Sequence, residues 1–203
     1  MAKLGKGLTV KLGITTKNLI DVGVFTVLYI VVVGVFGQLG ALIPILQVLG
    51  PFYIPALAGV VFMLFLTRVD RFGMVSLFGV LVGLLVLATG QSYWVPVLAV
   101  FLAPLADFIF KLGGYKSWPH TVLGYLVFSQ MLIGMVVPLF FARESFLAKI
   151  SGRHDAAWVQ TLVDLTPNWM FAVMIAELAL GAVVGAYVGR ALLRKHFERA
   201  GIG

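Results

Sequence analysis

Residues 22 to 67 form a run of forty-six positions without Asp, Glu, Lys, Arg or His, and residues 72 to 106 form a second run of thirty-five. A chain of 203 residues has no interior large enough to hide both runs, and neither can be left in water. About twenty apolar residues in a helix cross one hydrocarbon core, so each run has the length of a helical hairpin. The fold class that follows is an all-α, multi-pass integral membrane protein. Composition agrees, because 61% apolar residues against 11% charged ones provide too little polar surface to coat a water-soluble particle.

Hydropathy places six transmembrane helices at roughly 19–40, 42–67, 73–90, 93–111, 118–142 and 169–192. The chain then divides into a basic segment 1–18, a six-helix domain 19–192 and a basic tail 193–203. Gly50, Pro51 and Pro55 are expected to interrupt the second helix, leaving a short re-entrant piece followed by a span. The first eighteen residues lead straight into a long span without a small-residue cleavage site, which argues against a removable signal peptide. There are no cysteines, which excludes disulfides and thiolate metal sites.

The basic residues set the expected orientation. Lys3, Lys6, Lys11 and Lys17 precede the first span, Arg68 and Arg71 follow the second, Lys111 and Lys116 follow the fourth, and Arg190, Arg194, Lys195 and Arg199 follow the sixth. Twelve of the fifteen basic residues thus fall on one side, and the positive-inside rule makes that side, with both termini, cytoplasmic. Arg143, Lys149 and Arg153 share the long external connection 143–168 with Glu144, Asp155 and Asp164, so that loop is formally neutral. The basic surplus reads as topology and contact with anionic headgroups rather than as nucleic-acid binding.

Candidate binding residues cluster toward the external side. Thr166-Pro167 reads as a threonine cap with proline at the first helical position, so that Asn168 and Trp169 would open the last helix at a set of free amides. The same residues also suit a capped helix with an interfacial anchor. The turn at Gln91, Ser92, Tyr93 and Trp94 carries the same two readings. Glu177 is the one carboxylate deep in a span, and such a group must face protein or water. Gln130 and Ser129 are candidate partners for it, and Met131, Met135, Met170 and Met174 could supply a soft lining or plain packing. Gly181, Gly185 and Gly189 continue its face as a stripe that permits close helix approach. Asp107 is read as an ion pair with Lys111, His120 as interfacial packing, and a lone His154 as weak support for a metal, so no metal site is expected.

The chain lacks G-x-x-x-x-G-K-[ST] and H-E-x-x-H, and Glu177 and Asp107 fall in opposite leaflets, too far apart for an aspartyl dyad. No catalytic residue is assigned and an enzyme is not expected.

Several strings, taken in order, carry a family resemblance: Lys17-Asn18-Leu19-Ile20-Asp21-Val22-Gly23-Val24-Phe25-Thr26, Phe62-Met63-Leu64-Phe65-Leu66-Thr67 before Gly73-Met74, Lys111-Leu112-Gly113-Gly114-Tyr115-Lys116-Ser117, and Leu165-Thr166-Pro167-Asn168-Trp169-Met170. With the closing Gly189-Arg190, Lys195-His196-Phe197 and Ala200-Gly201-Ile202, they resemble the Trep_Strep family of bacterial membrane proteins over essentially the whole chain. That family is similar to the substrate-binding S components of energy-coupling-factor (ECF) importers. The resemblance implies a multi-pass protein of the bacterial cytoplasmic membrane that captures a vitamin or other micronutrient outside, haem or a vitamin-like compound among them. It also implies delivery through a transmembrane coupling subunit and two ABC ATPases, which alone use ATP, so the chain itself needs no cofactor. A stand-alone carrier or channel is the alternative, and an intramembrane enzyme a lesser one. The pocket would lie under the first, third and fifth loops, with Gln91, Tyr93, Trp94, Gln130, Asn168, Trp169 and Glu177 as binding residues. The coupling subunit would pack on Gly23, Thr26, Ser76 and Gly79, although Gly23 is followed by Val27 where many S components carry a second small residue.

Overall fold

A computed structural model describes residues 15–69 and 71–199. The basic residues Lys3, Lys6 and Lys11 and the closing Ala200-Gly201-Ile202 lie outside them. The described chain is helical, with no strand. Four of its helices are long and apolar enough to cross a membrane: α1 (Thr16–Gly37), extended by a 3-10 turn to Ala41, α2 (Pro44–Leu66), α4 (Trp94–Leu112) and the last helix, α9 (Met170–Arg199). α3 (Met74–Ala88) is apolar but holds 15 residues. At the usual rise that is roughly 22 Å, short of a hydrocarbon core of ~30 Å.

α1 begins where Thr15 and Asn18 cap each other: the Asn18 amide donates to Thr15 Oγ1 at 3.3 Å and the Thr15 amide to Asn18 Oδ1 at 3.0 Å. α2 is one continuous helix through Gly50, Pro51 and Pro55, which corrects the expected interruption. Each proline removes a single backbone donor, and the turn around Pro55 is clamped from outside. Tyr125 Oη donates to Pro55 O at 2.6 Å, and α9 presses on the same turn at Gly181.

The α2–α9 contact has no side-chain layer between the backbones. A Cβ at Gly181 would sit 2.0 Å from Phe52 O, one at Gly185 2.5 Å from Pro55 O, and one at Gly189 2.7 Å from Met63 Cγ. Gly59 on α2 returns the approach, since a Cβ there would lie 2.6 Å from the Gly185 backbone. The glycine stripe is therefore a helix-packing surface.

The expected fifth span, 118–142, is divided into α5 (Trp118–Ser129), a 3-10 stretch over Gln130–Met135, and the short α6 (Val137–Phe141). Pro138 is the physical reason: without an N–H it cannot bond the Gly134 carbonyl four residues back. That carbonyl is taken instead by the hydroxyl of the buried Ser92, at 2.6 Å, from the turn between α3 and α4. Gly134 has no room for a Cβ, which would meet the Val95 amide at 2.6 Å. The connection 143–168 also holds two helices, α7 (Arg143–Ser151) and α8 (Ala156–Leu165), where a loop was expected.

The core is aromatic. Phe25 and Tyr29 from α1, Phe62 and Phe65 from α2, Phe78 from α3, Phe110 from α4, and Tyr125 and Phe128 from α5 form one continuous block. Phe62 stands at its centre, with ring centroids 4.6 Å from both Tyr125 and Phe128. The block fills the half of the bundle nearer the start of α1 and the ends of α2 and α9.

Asp107 is fully buried at the base of this block and does not serve as the expected ion pair with Lys111. Its Oδ2 accepts from the Gly73 amide (2.8 Å), the Ser76 amide (3.0 Å) and Ser76 Oγ (2.9 Å), and its Oδ1 accepts from Tyr115 Oη at 2.9 Å. The carboxylate caps α3 from a neighbouring helix, and two left-handed residues support the arrangement: Gly73 (φ 101°) entering α3 and Tyr115 (φ 56°) after α4. Lys111 lies over the Phe72 ring instead, 5.4 Å from its centroid.

Candidate functional site

The half of the bundle away from the aromatic block encloses a cavity of about 650 Å³, within the range of small-molecule sites. Its floor and one side come from Val33 on α1, Pro51 and Ile54 on α2, Leu132 on the 3-10 stretch and Leu178 on α9. Gln38 and Gln47 line the α1–α2 connection, and Gly90 to Tyr93 form the rim from the α3–α4 turn. The opposite wall is made by Met135, Pro138, Phe146, Lys149, Arg153, His154 and Trp158, from the 3-10 stretch through α8. The cavity therefore lies under the first, third and fifth connections.

Backbone chemistry sets this wall. The Ser92 bond to Gly134 locks the α3–α4 turn to the 3-10 stretch and so orients Gln91 and Tyr93 at the rim, both exposed. Lys149 Nζ donates to Gly90 O at 2.7 Å and ties α7 to the same turn. Arg143 donates to the Thr166 and Val163 carbonyls, each at 3.0 Å, and to Thr166 Oγ1 at 3.2 Å, so its guanidinium covers the negative end of α8. At the other end of α8, Asp155 Oδ1 accepts from the Trp158 amide at 2.7 Å. His154 stacks on the Trp158 indole with centroids 3.9 Å apart and planes 14° from parallel. Trp158 Nε1 is buried without a hydrogen-bond partner.

Of the binding residues expected from the sequence, Gln91 and Tyr93 line the cavity, and Trp94, Gln130, Asn168, Trp169 and Glu177 do not. Thr166 is the reason for the miss at the last helix: its hydroxyl donates to Leu162 O at 2.7 Å and closes the end of α8 rather than opening α9. α9 starts four residues later, at Met170, after a tight turn in which the Met170 amide bonds Pro167 O. Asn168 and Trp169 stay exposed on that turn. Trp94 packs its ring 5.1 Å from Tyr93 behind the rim. Glu177 is half-buried one turn above Gly181, with Oε2 unpartnered, and Gln130 Nε2 is unpartnered as well, so the expected bond between them is absent. Ser129 is taken by the Tyr125 carbonyl at 2.8 Å. Met135 lines the cavity, whereas Met131 and Met174 are core.

The expected docking residues separate in the same way. Thr26 is buried and bonds Val22 O at 2.7 Å. Gly79 is packed inside the bundle, where a Cβ would stand 2.3 Å from Ala103 Cβ, and Ser76 is engaged by Asp107. Gly23 alone faces open space, with no atom within 4 Å of a Cβ built there. His120 accepts or donates at Nδ1 to Ser117 Oγ at 2.8 Å, and no cluster of metal-binding side chains occurs among the described residues.

An all-helical bundle with four membrane-length apolar helices and a solute-sized cavity at one end defines an integral membrane protein. The chain belongs to the Trep_Strep family, described as hypothetical bacterial integral membrane protein, which matches residues 16–199. No curated protein and no solved structure matches it.

Proposed function

We propose that the chain is the capture (S) subunit of an ECF-type importer in the bacterial cytoplasmic membrane, taking a micronutrient from outside and handing it to a coupling subunit driven by two ATPases. The observation that carries this reading is the cavity itself: it occupies one half of the bundle while the aromatic block packs the other, so it suits holding a solute rather than conducting it. In this reading α3 and the composite of α5, its 3-10 stretch and α6 complete six crossings, and both termini are cytoplasmic. The basic residues Lys17, Arg68, Lys111, Lys116, Arg190 and Arg194 gather at the end away from the cavity, which supports that orientation. Gln91 and Tyr93 contact the solute at the rim. The coupling subunit packs on the open face of α1 at Gly23, without Thr26 or Gly79, since small residues allow close backbone approach. The chain needs no cofactor and performs no chemistry on its cargo.

The test is reconstitution of the chain alone in liposomes. It is expected to bind its co-purifying solute without accumulating it, and to accumulate it only with coupling subunit, ATPases and ATP. Accumulation by the chain alone under a proton or sodium gradient would make it a secondary carrier, and conversion of the solute to a new product would make it an enzyme. A preparation that never holds a solute refutes the capture reading.

A further inference from the structure

We propose that the cavity selects a solute with an anionic group on a flat, largely apolar body, an inference that rests on the capture reading and adds the chemical class of the cargo. The connection 143–168 is formally neutral, with three basic and three acidic residues, but the fold sorts them. Lys149 and Arg153 line the cavity, and the third base, Arg143, is occupied by the end of α8. None of the three carboxylates lines it: Asp155 caps α8, Asp164 accepts from Gln160 Nε2 at 2.8 Å, and Glu144 is exposed outside. Among the described residues no other Asp or Glu lines the cavity, Glu177 included.

The electrostatic consequence is one-sided. A cation entering a partly desolvated cavity would meet two positive side chains and no countercharge, whereas an anion meets charge-assisted donors in place of its water. One bond to Gly90 O fixes Lys149 Nζ at the rim and leaves its other N–H donors for a solute, and Arg153 is exposed on the adjacent turn. The flat body follows from the same wall. The stacked His154–Trp158 pair lies in the wall, and Phe146 and Tyr93 complete the aromatic surround.

The probes are 2-naphthoate and 2-naphthamide, which share a flat apolar body and differ in charge. Each is measured by equilibrium dialysis against the full chain in lipid nanodiscs, with empty nanodiscs subtracted. Naphthoate is expected to bind at least about tenfold more tightly than the amide, the size of one charge-assisted contact. Arg153→Gln should weaken naphthoate by about tenfold and leave the amide unchanged, and Arg153→Lys should restore much of the loss. Equal affinities, tighter binding of the amide, no binding of naphthoate, or an Arg153→Gln variant indistinguishable from the parent would each overturn the proposal. Identification of a solute released on denaturing the purified protein separates the two readings. A cationic or uncharged solute overturns the charge class while supporting capture, and an acidic one with an aromatic absorption band supports both.

Discussion

Replacing Asp107 tests whether a buried carboxylate holds the start of α3 or merely neutralises a lysine. Asp107→Ala leaves the amides of Gly73 and Ser76 facing a void where Oδ2 stood, and frees the hydroxyls of Ser76 and Tyr115. Each buried donor left unpaired costs about 1–3 kcal/mol, so the two amides together set a loss of roughly 2–6 kcal/mol. Asp107→Asn keeps one carbonyl oxygen for the Gly73–Ser76 side and offers an NH2 to Tyr115 Oη, losing mainly the charge assistance, and should cost about 1–3 kcal/mol. Ser76→Ala removes one of the three bonds to Oδ2 and should cost about 1 kcal/mol. Lys111→Gln should change stability by no more than about 0.5 kcal/mol, because Lys111 sits over Phe72 at the surface. Thermal unfolding of the four variants in one detergent reads the order, at roughly 2–4 °C per kcal/mol for a chain of this length. If Lys111→Gln fell as far as Asp107→Asn, the ion pair would be the operative contact and the account of the cap would be wrong.

Three further variants test the helix packing and the end of α8. Gly185→Ala places a Cβ 2.5 Å from Pro55 O and must push α2 and α9 apart, at an expected loss of about 1–3 kcal/mol. Gly23→Ala, with no atom within 4 Å, should leave the unfolding temperature of the isolated chain unchanged or raise it slightly, since Ala favours a helix over Gly, and an equal loss at the two sites would contradict the packing described for the stripe. Arg143→Gln should loosen α8 by exposing the Val163 and Thr166 carbonyls; amide exchange over Ala156–Leu165 is expected to accelerate about tenfold or more. Exchange in α2 should stay as it was, and a uniform acceleration through the bundle would mean the guanidinium supports the whole fold.

The long helices were legible because length and apolarity are additive along the chain: α1, α2, α4 and α9 are each long and apolar enough to cross a membrane without any help from their neighbours. The break in the fifth segment was signalled by Pro138, but its outcome depended on Ser92 being there to take the carbonyl of Gly134, forty-two residues further on. α8 also left a trace, an Asp155 cap before an apolar periodic run, obscured by reading Thr166-Pro167 as the next helix start. Asp107 and Lys111 have the right spacing for an ion pair, and local spacing says nothing about Ser76 or Tyr115. At the cavity, Gln91 and Tyr93 could be picked out as polar and aromatic residues on a turn. Lys149, Arg153 and Trp158 could not, because the separation of the two basic residues from Glu144, Asp155 and Asp164, and the place of Trp158 in the wall, exist only once α7 and α8 are folded against the rim.

The aromatic block has an electrical meaning. A membrane that carries a potential cannot tolerate a water-filled recess continuing to the other face, and the cavity brings solvent well into the bundle. Beneath it the path is occupied by phenyl and phenol rings in mutual contact, with Phe62 held between Tyr125 and Phe128 and Phe65 stacked on Phe78 at 4.5 Å. Carrying a bare ion through such material costs on the order of 20 kcal/mol in the idealised limit. The rings therefore insulate: the bundle can sit across a membrane that carries a potential without opening a path for ions.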